Sequence, residues 1–187
     1  MAAPGGSGPI GPYPAGVESD DEKVEYDKLR RRLLWTFPSG LYVIGSRDGD
    51  RRNAMTANWV TQVSFEPKLV AVSIDHVAFT HELIAAGNAF TVNTIDREDR
   101  AIVRKFTKPV EVDLAAMTLN EFPFHDGPAT GVPVLDQAAA FVECEVRSAV
   151  EVGDHTVFIG EVVNAVFQKA EDAGVLRMED TRMNYGG

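Results

Sequence analysis

The sequence predicts a mainly β domain whose strands close into a barrel, with a few short helices covering its ends. Three observations lead to this fold class. Short apolar or alternating runs are separated by turn residues along most of the 187-residue chain. Helical periodicity is confined to one segment near the N-terminus and two short segments further on. The last third predicts two long strands joined by a tight turn, which is typical of antiparallel sheets.

The N-terminal region is predicted to be a tail followed by a helix. Residues 1–19 are rich in Gly and Pro and cannot bury enough apolar surface to offset their ordering entropy. A disordered tail is therefore expected there, ahead of a single domain over 20–187. A helix is predicted from Asp20 to Trp35, ended by Pro38. Its apolar residues are spaced to share one face: Val24, Leu29, Leu33 and Leu34.

The middle of the chain predicts strands interrupted by two helices. A strand is expected in GLYVIGS from Gly40, followed by an Asp-Gly turn at 47–50 and by strand with irregular backbone over 53–65. A buried strand in LVAVSI comes next. A helix from Phe79 to Ala86, ended by Gly87, and a strand in AFTVN follow it. Asp96 is expected to cap a second helix that runs to Phe106. Residues 107–137 are rich in proline without a clear period, which predicts a long excursion with weak structure.

The last third predicts a hairpin and one final short strand. A half-buried strand is expected over 141–150, where apolar residues alternate with charged ones: Val142, Cys144 and Val146 against Glu143, Glu145 and Arg147. A turn at 152–154 leads into a β-branched strand from His155 to Phe167. The final short strand is predicted around Arg182–Tyr185.

Composition excludes several classes of protein. No apolar run approaches the length of a membrane span, and the N-terminus lacks the basic and apolar regions of a secretory signal. The single cysteine, Cys144, excludes an internal disulfide framework and a thiolate zinc site, so a cytoplasmic protein is expected. The net charge is −10: residues 1–27 hold six acids against Lys23, and the remaining 160 residues hold 22 acids against 17 bases. Such a chain lacks the basic footprint of a nucleic-acid-binding protein.

The familiar catalytic and metal motifs do not occur in the sequence. It contains no G-x-S-x-G, P-loop, G-x-G-x-x-G or H-E-x-x-H pattern. No metal site is predicted, because the four histidines lack metal-ligand spacing: His76, His81, His125 and His155. Cys144 lies on the apolar face of its strand and is expected to be a packed, inert thiol rather than a nucleophile.

Small polar residues between the strands suggest a ligand-binding edge. They are Asn53, Thr56, Asn58, Thr61, Ser64, Ser73, Asp75 and Thr80. Hydroxyls, amides and backbone N–H groups at strand ends suit a polar heteroaromatic ligand, and the helix start at Phe79 favours a phosphate. From these residues alone, polar side chains that merely finish strand ends are the simpler explanation.

Five segments occur in an order that changes this balance. They are NAMTANWVTQVSFEPKLVAVSI at 53–74, FTHELI at 79–84, AFTVN at 89–93, RKF at 104–106 and GDHTVFIGEV at 153–162. Together they resemble the flavin reductase-like family of FMN-binding split barrels, over roughly residues 28–187. One departure is Lys68, where the family usually repeats proline.

The resemblance implies a fold and an activity. The fold is a six-stranded antiparallel Greek-key split barrel, usually a homodimer with flavin near the subunit interface. The activity is hydride transfer from NADH or NADPH to FMN or FAD, by an enzyme that keeps the flavin or releases it reduced to a partner monooxygenase. One alternative is an FMN-carrying electron-transfer protein of the same fold that NAD(P)H does not reduce directly. Another is a structural domain without flavin.

The resemblance also implies which residues hold the flavin. The ring edge would lie along Asn53, Ala54, Met55, Thr56, Asn58 and Trp59, the ribityl chain along Ser73, Ile74 and Asp75, and the phosphate at Phe79, Thr80, Lys105 and Phe106. Backbone N–H groups near Thr56 would stabilise the negative charge of the reduced ring. The alternatives are that Trp59 is a core tryptophan and that Lys105 is an ordinary solvated lysine.

The dinucleotide side of the site is implied by two further segments. His155 is similar to a family histidine near the nicotinamide, which makes it the candidate catalytic residue; a solvated turn histidine is the alternative. Asn184, Tyr185 and Gly186 match a C-terminal strand that helps to close over the nicotinamide. Many relatives continue beyond the position of Gly187.

Overall fold

The computed structural model describes residues 11–183, and the chain divides into two compact units. One unit is Met1–Pro38 with Arg182–Gly187, of which residues 11–38 and 182–183 are described. The other unit is Ser39–Thr181. The division into a disordered tail over 1–19 and one domain over 20–187 stays a prediction.

The first unit contains one long helix, α1 (Asp20–Leu34), which agrees with the predicted helix to within one residue. Ser19 begins it with a capping box, because its hydroxyl accepts from the Glu22 backbone N–H and the Glu22 carboxylate accepts from the Ser19 N–H. The Arg30 guanidinium lies 5.1 Å from the centre of the Tyr13 ring. The apolar residues expected to share a face are 40–56% exposed, and none of the helix is buried.

The second unit is built from eleven strands within residues 39–181. They are β1 (Tyr42–Asp48), β2 (Arg51–Ala57), β3 (Val60–Ser64), β4 (Leu69–Asp75), β5 (Ala89–Thr94), β6 (Val112–Asp113), β7 (Thr118–Leu119), β8 (Phe122–Asp126), β9 (Pro133–Leu135), β10 (Ala140–Val152) and β11 (His155–Phe167). The main sheet has the order β2-β1-β5-β10-β11-β4-β3, and a small sheet has the order β6-β7-β8-β9. All pairs are antiparallel, which confirms the predicted fold class.

The main sheet has seven strands rather than six, because the segment over 53–65 forms two strands that break at Asn58 and Trp59. The sheet also curls, so that strands near its two ends share one core. Ala57 of β2 clusters with Val72 of β4 and Phe90 of β5, each less than 8% exposed. Because β2 and β3 are the two edges of the sheet and are joined by only two residues, this shared core indicates barrel closure.

Both predicted hairpins are confirmed. The β1–β2 turn is Gly49-Asp50 and the β10–β11 turn is Gly153-Asp154. The glycines have φ of 58° and 59°, the left-handed value that a two-residue turn of this kind needs at its first position.

The helix α2 (Phe79–Gly87) is confirmed, but its last turn differs from the prediction. Asn88, with φ 54°, adopts the left-handed conformation that ends the helix. Gly87 is needed for a different reason, since a Cβ there would collide with the Arg47 carbonyl oxygen.

The helix predicted from Asp96 to Phe106 is wrong in its continuity. Asp96 caps only a 3₁₀ turn over Arg97–Asp99, and a separate one-turn helix, α3 (Ile102–Lys105), follows. Buried Ile102 and Val103 dock this second piece, so packing rather than helical continuity sets its direction.

Residues 107–137 are more ordered than predicted. They contain β6 to β9, and polar side chains of the main sheet hold β9 through its backbone. Asn93 donates to the Val43 carbonyl at 3.0 Å and accepts from the Leu135 N–H at 2.9 Å. The Thr91 hydroxyl donates to the Pro133 carbonyl at 2.6 Å. A hydropathy pattern cannot detect such side-chain-to-backbone bonds.

Glu143 is the clearest error in the predicted alternation of β10. It was expected on the polar face, but its side chain is fully buried. The excursion covers that face, and the carboxylate accepts from the Thr130 N–H and hydroxyl, both at 2.8 Å, and from the Asn164 amide at 2.7 Å. At Glu143 the polar face of the strand is therefore an internal interface.

The end of the described chain differs from the prediction. A 3₁₀ turn over Met178–Asp180 is present, and residues 182 and 183 form no strand. The rest of the predicted final strand lies outside the described residues. Over residues 11–183, no helix combines the length and the apolar character needed to cross a bilayer.

Candidate functional site

Direct contacts link most of the predicted site residues along one edge of the second unit. The connection between β2 and β3, the end of β4, the start of α2 and the start of β11 meet there. Asn53 contacts Thr80, Trp59 contacts both Ser73 and His155, and His155 is the register partner of Asp75. Folding therefore brings together residues up to about 100 positions apart in the chain.

Asn53 and Thr80 join β2 to the first turn of α2. The Asn53 amide donates to the Thr80 hydroxyl at 2.9 Å, and both side chains are buried. An internal hydrogen bond of this kind holds the helix start in place. These two side chains are therefore supports of the site.

The start of α2 has backbone donors without acceptors among residues 11–183. Ala78 at the N-cap offers no side-chain cap, so the first-turn N–H groups of Phe79 and Thr80 have no partner from within the helix. The Phe79 ring is 46% exposed, and the Arg51 guanidinium lies 5.9 Å from its centre. Uncapped N–H groups and the positive end of the helix dipole suit an anion.

The end of β4 contributes backbone more than side chains. Ser73 donates its N–H to the Trp59 carbonyl at 3.0 Å. The Ile74 side chain is fully buried in the core, so only its backbone can face a ligand. The Asp75 carboxylate accepts from the Val77 N–H at 3.0 Å and turns the chain towards α2.

His155 begins β11 beside an aromatic ring and a carboxylate. Its side chain is 11% exposed, and its ring centre lies 4.9 Å from that of Trp59, which is 40% exposed. Its Nδ1 lies 2.6 Å from Asp154 Oδ1, and this hydrogen bond lowers the pKa of the Asp154 carboxyl. His155 is therefore neither a freely solvated histidine nor an apolar core residue.

His81 is a neighbour that the sequence patterns did not indicate. Its Nε2 lies 2.8 Å from the Thr156 hydroxyl, and its ring is 5.2 Å from that of Phe158 and 5.3 Å from that of His76. Burial, and then the charge of His76, lower its pKa. Its position directly after Thr80, in the first turn of α2, was the available signal.

The Thr56 segment differs from the expectation in one respect. The Thr56 N–H donates to the Phe106 carbonyl at 3.0 Å and its hydroxyl to the Val103 carbonyl at 2.6 Å, so α3 already uses this N–H. The Phe106 ring is 1% exposed and lies 5.7 Å from that of Phe122. Lys105 is exposed and forms no ion pair with any carboxylate in the described part of the chain.

The other predicted residues divide into buried and undescribed ones. Ala54 is 2% exposed, and Met55 packs partly against the core. Asn58 is 8% exposed, and its amide has no hydrogen-bond partner among residues 11–183. The three C-terminal residues lie outside the described residues: Asn184, Tyr185 and Gly186. Cys144 is fully buried, which raises its pKa to about 12 and confirms an inert thiol.

The arrangement fits a ligand with a flat polar ring and a phosphate. Trp59 supplies exposed aromatic surface, and within residues 11–183 Asn58 offers an amide and the start of α2 two N–H donors that have no partner. An amide that bonds to no other described residue can bond to a ligand instead. These features agree with the chemistry of a flavin mononucleotide moiety.

Comparison with known proteins points to the same ligand class. The sequence pattern of the flavin reductase like domain matches residues 34–186. The chain is 31% identical over 163 residues to an NADH-dependent FAD reductase of Streptomyces globisporus, covering 84% of this chain and 83% of that protein. It is also 32% identical over 136 residues to a high molecular weight rubredoxin of Moorella thermoacetica, covering 72% of this chain and 58% of that protein.

A solved structure adds the evidence of shape. The NADH:FAD oxidoreductase of Streptomyces globisporus superposes with a TM-score of 0.73 at 27% identity, over 93% of this chain and 98% of that one. Family membership supports flavin binding and assigns the chain to the oxidoreductases. The match over most of the chain and the shared fold lead to one conclusion: this protein belongs to the flavin reductase like family.

Proposed function

We propose that the protein binds FMN or FAD and transfers hydride to it from NADH or NADPH. The observation that carries the proposal is the contact between His155 and Trp59, beside the end of β4 and the uncapped start of α2. One half of this edge suits a phosphate, and the other half suits two stacked aromatic rings. NADH as the donor agrees with the activity named for the Streptomyces relative.

The chain would hold the flavin phosphate at α2. The N–H groups of Phe79 and Thr80 donate to it, and the Asn53–Thr80 hydrogen bond keeps these donors in position. Lys105 lies on the segment that Thr56 ties to β2, and its uncompensated charge favours the anion.

The ring edge would lie along β2 and Asn58. The Thr56 N–H is committed to Phe106, so the donor to the flavin must come from elsewhere on this edge strand. Alternate residues of a strand direct their backbone groups to the same side, which selects Ala54. The Asn58 amide is the second polar group that this ring can satisfy.

The bound cofactors would supply the redox chemistry, in which a hydride passes from the nicotinamide C4 to the flavin N5. The protein's residues orient and shield the two rings. Trp59 covers ring surface and excludes water, and His155 positions the nicotinamide side. Holding reactants in place can lower a barrier by as much as about 7–11 kcal/mol. Hydride transfer therefore requires no acid or base from the chain.

Delivery of reduced flavin to a partner monooxygenase completes the proposal, with a cytoplasmic homodimer as the expected form. An anaerobic assay of NADH and NADPH oxidation with FMN and FAD added in turn tests it. We expect turnover that scales with added flavin. Tightly bound flavin that neither nucleotide reduces would instead identify an FMN-carrying electron-transfer protein, and absence of flavin binding a structural domain.

The role of His155 has its own test. His155→Ala should lower turnover more than flavin affinity, because the side chain lies on the proposed nicotinamide side. A collapse of flavin affinity with unchanged turnover per bound flavin would contradict this assignment.

A further inference from the structure

We propose that Asp154 is a positioning residue that fixes the tautomer and orientation of the His155 imidazole for the dinucleotide. The inference rests on the proposed function, because it concerns the histidine assigned there to the nicotinamide side.

The β10–β11 turn places the two side chains against each other. Gly153 takes the left-handed first position, and Asp154 follows with its carboxylate against the next side chain, where Oδ1 lies 2.6 Å from His155 Nδ1. The backbone of this turn is also tied to the segment after β4, because the His76 N–H donates to the Asp154 carbonyl at 3.0 Å. The backbone that carries this carboxylate is therefore held by two elements of the fold.

This contact determines which nitrogen carries the proton. An ionised carboxylate can only accept a hydrogen bond, and a neutral imidazole has a single N–H. The proton of neutral His155 must therefore be on Nδ1, which makes Nε2 the nitrogen with acceptor character. An unconstrained histidine side chain prefers the opposite tautomer, so Asp154 reverses the intrinsic preference.

The contact is not built for stability. The Asp154 side chain is 91% exposed, whereas that of His155 is 11% exposed. Exposed ion pairs contribute little to the free energy of folding. Trp59 lies against the same imidazole with the ring planes at 54°, so the two neighbours together define the direction in which Nε2 points.

The tautomer can be measured in the flavin-free protein. Nitrogen-15 NMR of histidine-labelled protein near pH 8 should place the His155 proton on Nδ1 in the wild type. Asp154→Ala should shift the population towards Nε2–H. Asp154→Asn offers Nδ1 a donor as well as an acceptor, so it should also lose the preference for Nδ1–H and give a population between those of the wild type and Asp154→Ala. Asp50→Ala is the matched control, because Asp50 occupies the same position in the β1–β2 turn. An Nε2–H wild type, or an unchanged population in Asp154→Ala, overturns the proposal.

Kinetics then test the consequence for the dinucleotide. Asp154→Ala should raise the KM for the reducing nucleotide by about 3- to 10-fold, the factor expected for one hydrogen bond. The flavin Kd and kcat should change less than about twofold, and Asp154→Asn should raise the KM less than Asp154→Ala does. The positioning role is contradicted if Asp50→Ala raises the KM as much as Asp154→Ala does, or if Asp154→Ala leaves the KM unchanged. If His155→Ala changes neither the turnover nor the KM for the nucleotide, the proposed role of His155 fails, while the tautomer measurement still decides what Asp154 does.

Discussion

Two regions of the second unit use the same types of polar residue in opposite ways. Between the main sheet and β9, Asn93 and Thr91 bond to backbone groups and to each other, and the Glu143 carboxylate accepts from two chain segments. At the candidate site, the Asn58 amide has no partner within residues 11–183, and the start of α2 is uncapped. Satisfied polar groups hold the fold together, whereas unsatisfied ones are available to a ligand.

Asn53 and Thr80 connect the two patterns. They lie at the candidate site, but they form a hydrogen bond with each other. In this respect they resemble Asn93 and Thr91, which bond within the protein. A polar residue near a ligand is therefore a binding residue only if its hydrogen-bonding capacity is left over. Leftover capacity is not sufficient by itself, because the hydroxyl of buried Ser46, on β1 opposite Asn53, also has no partner in the described chain.

The largest expected effect comes from breaking the satisfied region. Glu143→Ala leaves the Thr130 N–H and the Asn164 amide buried without their acceptor, in addition to a small cavity. We expect a loss of about 3 kcal/mol in the free energy of unfolding, measured by urea denaturation. The flavin Kd of the folded protein should stay within about twofold, because the contacts of Glu143 do not include the proposed flavin residues. A large change in the flavin Kd would remove the distinction between the two regions.

A smaller, pH-dependent effect should come from the same carboxylate. Burial tends to raise the pKa of Glu143, but hydrogen bonds from Asn164, Thr130 and Ala129 outweigh it, and the pKa is lowered from its usual value near 4.5. A lowered pKa in the folded state means that the charged form stabilises the fold above this value and that the benefit disappears as the pH falls through the folded-state pKa.

Glu143→Gln isolates this contribution. The difference in free energy of unfolding between wild type and Glu143→Gln should be constant from pH 6 to 8 and should shrink below about pH 4.5. Urea titrations at each pH measure it. A difference that stays the same down to pH 3 would show that the charge of Glu143 does not contribute.

The fold could be predicted from local patterns wherever one residue type decides the conformation. Gly49 and Gly153 marked both hairpins, and the apolar run of β4 marked a buried strand. The patterns failed where a second layer covers a polar face, as at Glu143, because alternation shows which side of a strand is polar but not what covers it. The prediction of weak structure over residues 107–137 failed for the same reason.

The candidate site could be located in the sequence, but the sequence could not show which of its polar groups bond within the protein and which are left for a ligand. The shared segments selected Asn53, Thr56 and Trp59, and the fold gathers them. Only the structure shows that the Thr56 N–H is used by Phe106 and that the Asn53 amide is used by Thr80. Partners that lie 27 and 50 positions away leave no trace in local sequence, and the same holds for His81 and Thr156.

The smallest expected effect tests the unsatisfied region at the proposed phosphate position. Lys105→Ala removes an exposed charge without a carboxylate partner in the described chain, so its free energy of unfolding should change by less than about 0.5 kcal/mol. The Kd for FMN should rise by about 3- to 10-fold, and the Kd for riboflavin, which has no phosphate, should not change. Lys108→Ala is the control, because Lys108 is an equally exposed lysine three residues further along. Fluorescence titration measures the Kd for FMN and for riboflavin in both variants. An equal rise in the Kd for FMN and for riboflavin would place Lys105 away from the phosphate. An equal rise in the Kd for FMN in Lys105→Ala and Lys108→Ala would mean that Lys105 acts only through general electrostatic attraction in an acidic protein.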